Sequence, residues 1–283
     1  MEGRWPEALA TLEAEIRRSG RIGADHVLQL RRAIYRNGSI GREEAEFLFR
    51  LNRQSRGDDP AWAELYVEAL TDFFYWREGS DSALTADAER MLFEWLGPRP
   101  AVDDPTELRL LLNLIFRTNA CSERFRALVQ KAVEQSVLHS EHALFGHADR
   151  RPGAIDKADV EVIRRLVYGT GSQNGLAIGR SEAEFLFALD HATTDADNDP
   201  AWRELFVKAI TMHLLFGGDS PERVDEDEAA WLTAQIGAGQ SDHANQRALL
   251  VYIEQEAAGL HPLLVPLYQR FGISSDRSLA ASP

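Results

Sequence analysis

The chain repeats itself. Ile40-Gly-Arg-Glu-Glu-Ala-Glu-Phe-Leu-Phe49 returns as Ile178-Gly-Arg-Ser-Glu-Ala-Glu-Phe-Leu-Phe187, with nine of ten residues identical. Pro60 to Thr71 returns as Pro200 to Thr211, with eight of twelve identical. The offset is 133 at Leu30/Ile163, 138 at Ile40/Ile178 and 140 at Pro60/Pro200, and it is 138 again at Arg109/Arg247, so each change marks a loop of different length. A tandem duplication follows from this register, and any proposed site has to be tested in both copies. Each copy covers about 115 to 130 residues, an ordinary domain size.

The residues that open each repeated segment predict helices. An apolar residue, a capping residue and an acid three places on recur at Ile40-Gly41 with Glu44, Ile178-Gly179 with Glu182, Ile155-Asp156 with Asp159 and Val224-Asp225 with Glu228. That is an N-cap, a capping-box acid at N3 and an apolar staple. Leu84-Thr85 and Ile22-Gly23 begin the same way, with Ala88 and His26 in the acid's place. A second kind of start sets Asp or Ser before a first-turn proline, at Asp59-Pro60, Asp104-Pro105, Asp199-Pro200 and Ser220-Pro221, where the missing N–H costs nothing. Apolar residues between the starts fall at helical spacing, and no alternating run is long enough for a sheet. The expectation is an all-α fold of two homologous multi-helix domains in tandem, pseudo-twofold in arrangement, with about 12 helices. The first domain spans 1–138, a linker 139–154, the second domain 155–273 and a disordered tail 274–283.

Charge narrows the partners. A net charge of −14 argues against nucleic acid, whose phosphates need a basic face. It suits a basic or helical protein partner, or a divalent cation. One cysteine, Cys121, precludes an intramolecular disulfide. With no apolar run long enough to span a membrane and no apolar leader after Met1, the expectation is a soluble cytoplasmic protein.

Asn37-Gly38-Ser-Ile40-Gly-Arg-Glu-Glu44 resembles the second half of an EF-hand loop, in which glycine is followed two places on by Ile and six places on by Glu. It is equally similar to the helix-turn-helix units of TerB-like proteins of the tellurite-resistance type. The resemblance covers the turns alone, and it implies capped helix pairs with, on the EF-hand side, calcium as a ligand. The first, third and fifth loop positions are Ala33, Tyr35 and Asn37 in one copy and Gly171, Gln173 and Gly175 in the other, so neither loop offers the usual coordination shell.

Two other segments offer metal-ligating residues. Asp195, Asp197 and Asp199 alternate through a loop with Glu204 one turn into the following helix, an arrangement that can converge on Ca2+. The plainer reading is a solvated acidic loop with one helix cap. His139 and His142, at i and i+3 with His147 behind them, offer imidazoles for zinc in a segment without a counterpart in the other copy. Catalytic signatures are absent: no nucleophile elbow, P-loop, dinucleotide fingerprint or His-Glu-x-x-His occurs. Gly169-Thr-Gly-Ser-Gln-Asn-Gly175 reads as an inserted loop rather than a phosphate cradle.

Trp62 and Trp202, with Tyr66 and Phe206 one turn on, sit on the helix both copies keep. They either anchor the two cores or line a groove for a partner helix. The functional expectation is a non-enzymatic interaction or regulatory protein, needing no cofactor. The alternative is calcium binding or sensing through the acidic loop of the second copy.

Overall fold

The computed structural model describes residues 5–54, 59–76, 83–97, 102, 104–140, 151–169, 178–217, 221–237 and 243–274. Among them the fold is all-α, with thirteen helices and one two-stranded parallel pair. The chain divides into two compact units, residues 1–133 and 134–283.

The first unit holds α1 (Trp5–Ser19), α2 (Ala24–Ile34), α3 (Arg42–Gln54), α4 (Pro60–Trp76), α5 (Ala86–Leu96), α6 (Pro105–Arg117) and most of α7 (Glu123–His139). The second holds α8 (Lys157–Gly169), α9 (Arg180–Ala192), α10 (Pro200–Phe216), β1 (Arg223–Val224), α11 (Glu226–Gly237), α12 (Ala244–Glu256), β2 (Gly259–Leu260), a 3-10 turn at Pro262–Leu264 and α13 (Val265–Arg270). The segments matched in sequence thus have equal lengths as helices, 13 residues for α3 and α9 and 17 for α4 and α10.

Caps set where these helices begin. Asp156 Oδ1 accepts from Asp159 N at 2.8 Å, and Asp159 Oδ2 accepts from Asp156 N at 3.1 Å. Asp225 and Glu228 repeat the exchange at 2.9 and 3.0 Å. Each pair satisfies two otherwise orphaned donors. His26 does the acid's work for α2, with Gly23 N donating to its Nδ1 at 3.3 Å. Gly41 and Gly179 precede α3 and α9, and a Cβ at either would lie 2.6 Å from a carboxylate oxygen of Glu44 or Glu182. A side chain there would displace the folded-back acid. Asp59, Asp104 and Asp199 cap the three proline starts through Ala61 N, Glu107 N and Ala201 N, each at 2.9 Å.

The fourth proline start is a correction. Pro221 lies in a turn, and the next helix begins at Glu226, after β1. Long-range bonds hold that turn: Glu222 N donates to Leu215 O at 2.8 Å and Glu222 O accepts from Ala258 N at 2.6 Å, with Glu222 at φ +63°. β1 then pairs with β2, Arg223 opposite Gly259 and Val224 opposite Leu260.

Within each unit one apolar helix organises the core. In the first, α4 packs on α2, α3 and α6; in the second, α10 packs on α8, α9 and α12. Leu65, Ala69 and Leu70 of α4, and Leu205, Ala209 and Ile210 of α10, are fully buried, and each large aliphatic side chain so removed from water contributes about 1.5–3 kcal/mol. No described helix is long and apolar enough to cross a membrane. Residues 141–150 of the expected linker and 275–283 of the expected tail lie outside the described residues.

Candidate functional site

The two units differ where α3 and α9 meet the starts of the helices packed on their central helix. In the first unit the acids there are bonded, although the buried Tyr66 hydroxyl has no partner. Trp62 Nε1 donates to Asn52 Oδ1 at 2.8 Å, and Asn52 Nδ2 donates to the α6 cap, Asp104 Oδ1, at 3.0 Å. Arg53 grips Glu107 with two bonds, Nε to Oε1 at 2.8 Å and Nη2 to Oε2 at 3.3 Å. Such a fork supplies the countercharge a buried carboxylate needs. Tyr66 is wholly buried beside these acids, and loss of solvent, reinforced by Glu107 and Asp104, holds its phenol well above the usual range.

In the second unit the acid and the amide have exchanged places and the arginine is gone. Asp190 stands at the position matching Asn52, Asn245 at that of Glu107, and His191 at that of Arg53. Asp190 Oδ1 accepts from Asn245 Nδ2 at 2.7 Å and from Trp202 Nε1 at 3.3 Å. Asp190 Oδ2 is buried without a hydrogen-bond partner, as are His191 Nε2, His243 Nδ1 and both amide atoms of Gln246. Asp190 is 2% exposed, Gln246 0% and His243 8%. The His191 and His243 rings lie 5.9 Å apart, centre to centre.

Burial raises the Asp190 carboxyl above its ordinary range, against the opposing pull of the Asn245 and Trp202 bonds and the two histidines. Burial also lowers the His191 imidazole, a shift that Asp190 opposes. Among the described residues, then, no fixed cation is bonded to the Asp190 carboxylate.

Above this cluster opens a pocket of about 260 Å³, bordered by Asp190, Asp197, Asp199, Trp202, Arg203 and His243 among others. Three carboxylates face one guanidinium, and Arg203 Nε already donates to Asn245 Oδ1 at 2.8 Å. The hydroxyl of Thr194 in the wall donates to Asp190 O at 2.8 Å, so it is not placed as a nucleophile.

The residues singled out in the sequence fall as follows. Asp195 and Asp197 are exposed, Asp199 caps α10, and Glu204 pairs with Lys208 at 2.6 Å. Among the described residues no group of three or more His, Cys, Asp or Glu is arranged to hold a metal. His139 ends α7 at the surface, while His142 and His147 lie outside the described residues, as do residues 170–177 of the glycine-rich loop. Trp62, Tyr66, Trp202 and Phe206 are each 0% exposed. They are core anchors rather than an open groove for a helix, and Trp202 alone borders the pocket. Glu46 and Glu184 pair with Arg42 and Arg180 at 2.6 and 3.0 Å, one turn apart as their spacing predicts.

Asp190, His191, His243, Asn245 and Gln246 were not among the residues singled out. The signal that finds them is mismatch between the aligned segments: Asn52, Arg53, Pro105, Glu107 and Leu108 occupy the corresponding positions. No protein-family model, no characterised protein and no solved structure matches the chain.

Proposed function

We propose that the protein is a non-enzymatic interaction or regulatory module whose second unit receives a basic protein partner. One observation carries this reading: a pocket with three carboxylates to one guanidinium, one of those acids, Asp190, being buried with an oxygen that lacks a donor. A buried charge without a partner is unfavourable by several kcal/mol. Sites of that kind are kept where they act on something. The net charge of −14 adds long-range attraction for a basic partner and raises its rate of encounter. Catalysis is a poorer account, because Asp190 Oδ1 is tied to two donors and the Thr194 hydroxyl is engaged.

The test is fluorescence anisotropy with labelled peptides that are basic, neutral or acidic, at two salt concentrations. Saturable binding of the basic peptides, weakening as salt rises, is the expected result. Equal binding of all three, or of none, removes this reading.

A further inference from the structure

We infer that the pocket at Asp190 takes a guanidinium group, presented by an arginine side chain of the basic partner. The inference rests on the proposed function and names what the pocket reads. Its ground is the comparison of the two units. In the first, a carboxylate at the foot of this layer is closed by a guanidinium from the same chain, Arg53 on Glu107. In the second, that pair is replaced by His191 and Asn245, while an acid stands instead at Asp190, where the first unit has Asn52, and its Oδ2 atom is left without a donor. An arginine entering from the pocket supplies the countercharge that no described residue bonds to Asp190.

The surrounding groups fit that guest. A guanidinium carries five N–H donors in one plane and no acceptor, so it needs acceptors deep in the site and at its mouth. Asp190, whose Oδ2 has no donor, lies in the pocket wall, and Asp197, exposed at the pocket border, is an acceptor at the mouth. The buried His243, whose Nδ1 has no partner, lies in the same wall and accepts when that nitrogen is unprotonated. A volume of about 260 Å³ admits the end of one side chain and excludes a folded segment. Metal ions are the weaker occupants, since the Asp and His residues here do not converge in a ligating geometry.

The experiment is an NMR and calorimetric titration of the full chain with methylguanidinium, n-butylammonium and acetate, followed by an Arg-containing peptide and its Arg→Lys counterpart. Methylguanidinium is expected to bind with a dissociation constant on the order of 1 mM, as befits so small a ligand. It should shift resonances of Asp190, Trp202 and His243, compete with the Arg peptide, and bind at least about tenfold more tightly than butylammonium. Asp190→Asn should weaken the fragment and the Arg peptide by about tenfold or more. His191→Arg, which restores the first unit's internal cation, should block both while the protein melts no lower than wild type. If basic peptides bind but methylguanidinium neither competes with them nor loses affinity in Asp190→Asn, the guanidinium assignment fails and the basic-partner reading stands. If no basic peptide binds, both fail. Butylammonium binding as tightly as methylguanidinium overturns the choice of arginine.

Discussion

Replacing each central tryptophan by phenylalanine separates packing from hydrogen bonding, because Trp62 and Trp202 are equally buried but differently bonded. Both are 0% exposed, so truncation to alanine should destabilise either unit by about 3–5 kcal/mol. Phenylalanine keeps most of the packing and removes the indole N–H. At Trp62 that leaves Asn52 Oδ1, whose 2.8 Å bond comes from this indole, without that donor in a residue only 4% exposed. A buried acceptor so stranded costs about 1–3 kcal/mol. At Trp202 the bond is longer, 3.3 Å, and Asp190 Oδ1 retains Asn245 Nδ2 at 2.7 Å. The loss there should be smaller by about 1 kcal/mol. Urea unfolding followed at 222 nm, with the slope m required to match wild type, gives the difference from the midpoints. Equal losses, or a larger loss for Trp202→Phe, would refute the bonding argument and with it the claim that the two layers are wired differently.

Asp190→Asn should raise the melting temperature at pH 7, because it removes a buried carboxylate that has no fixed countercharge; about 1–2 kcal/mol is expected, at 2–4 °C per kcal/mol for a unit of this size. Burial raises the folded-state affinity of Asp190 for a proton, so the gain is full above its folded pKa and should shrink as pH falls toward 3.8. A lower melting temperature at pH 7 would mean the charge is matched after all. Burial lowers the His213 imidazole below its ordinary 6.5 while its Nδ1 lies 2.9 Å from Ile178 O. The unfolded chain therefore takes up that proton first, and wild-type stability should fall as pH drops below about 6.5. His213→Phe, which copies Phe73 at the matching position, should flatten that slope in a pH series of urea midpoints, and an unchanged slope would assign the effect elsewhere. Calcium at about 10 mM should leave the melting temperature of wild type and Asp197→Asn alike, since stabilisation requires a site that binds the ion. A shift seen in wild type and lost in the variant would restore the acidic loop as a calcium site.

The helices were legible because their starts are encoded locally. Asp156 with Asp159 and Asp225 with Glu228 need only four neighbouring residues to form, and they do so as the capping rule requires. Ser220-Pro221 carries the same kind of local signal, yet bonds to Leu215 and Ala258 hold Glu222 in a turn. No reading of adjacent residues foresees those partners. The aromatic layer shows a subtler limit. Trp95 packs on Phe49 and Phe73 in the first unit, and Trp231 packs on Phe187 and His213 in the second, although the two tryptophans do not match in sequence. Packing can be met from the next turn of the helix. The pocket escaped for a different reason: the duplication is legible in residues identical between the matched segments, whereas Asp190, His191 and Asn245 are where those segments differ.

The ionisation of Asp190 is the most direct measure of the whole account. Its carboxyl carbon, followed by 13C NMR across pH with and without saturating methylguanidinium, reports whether a cation seats against it. Free protein should titrate above the ordinary aspartate range, because burial disfavours the charged form. A guanidinium that binds the ionised carboxylate must pull that pKa down, by the reciprocity of linked equilibria. A clear downward shift on saturation is the predicted result, and superimposable titration curves would contradict the assignment of this pocket.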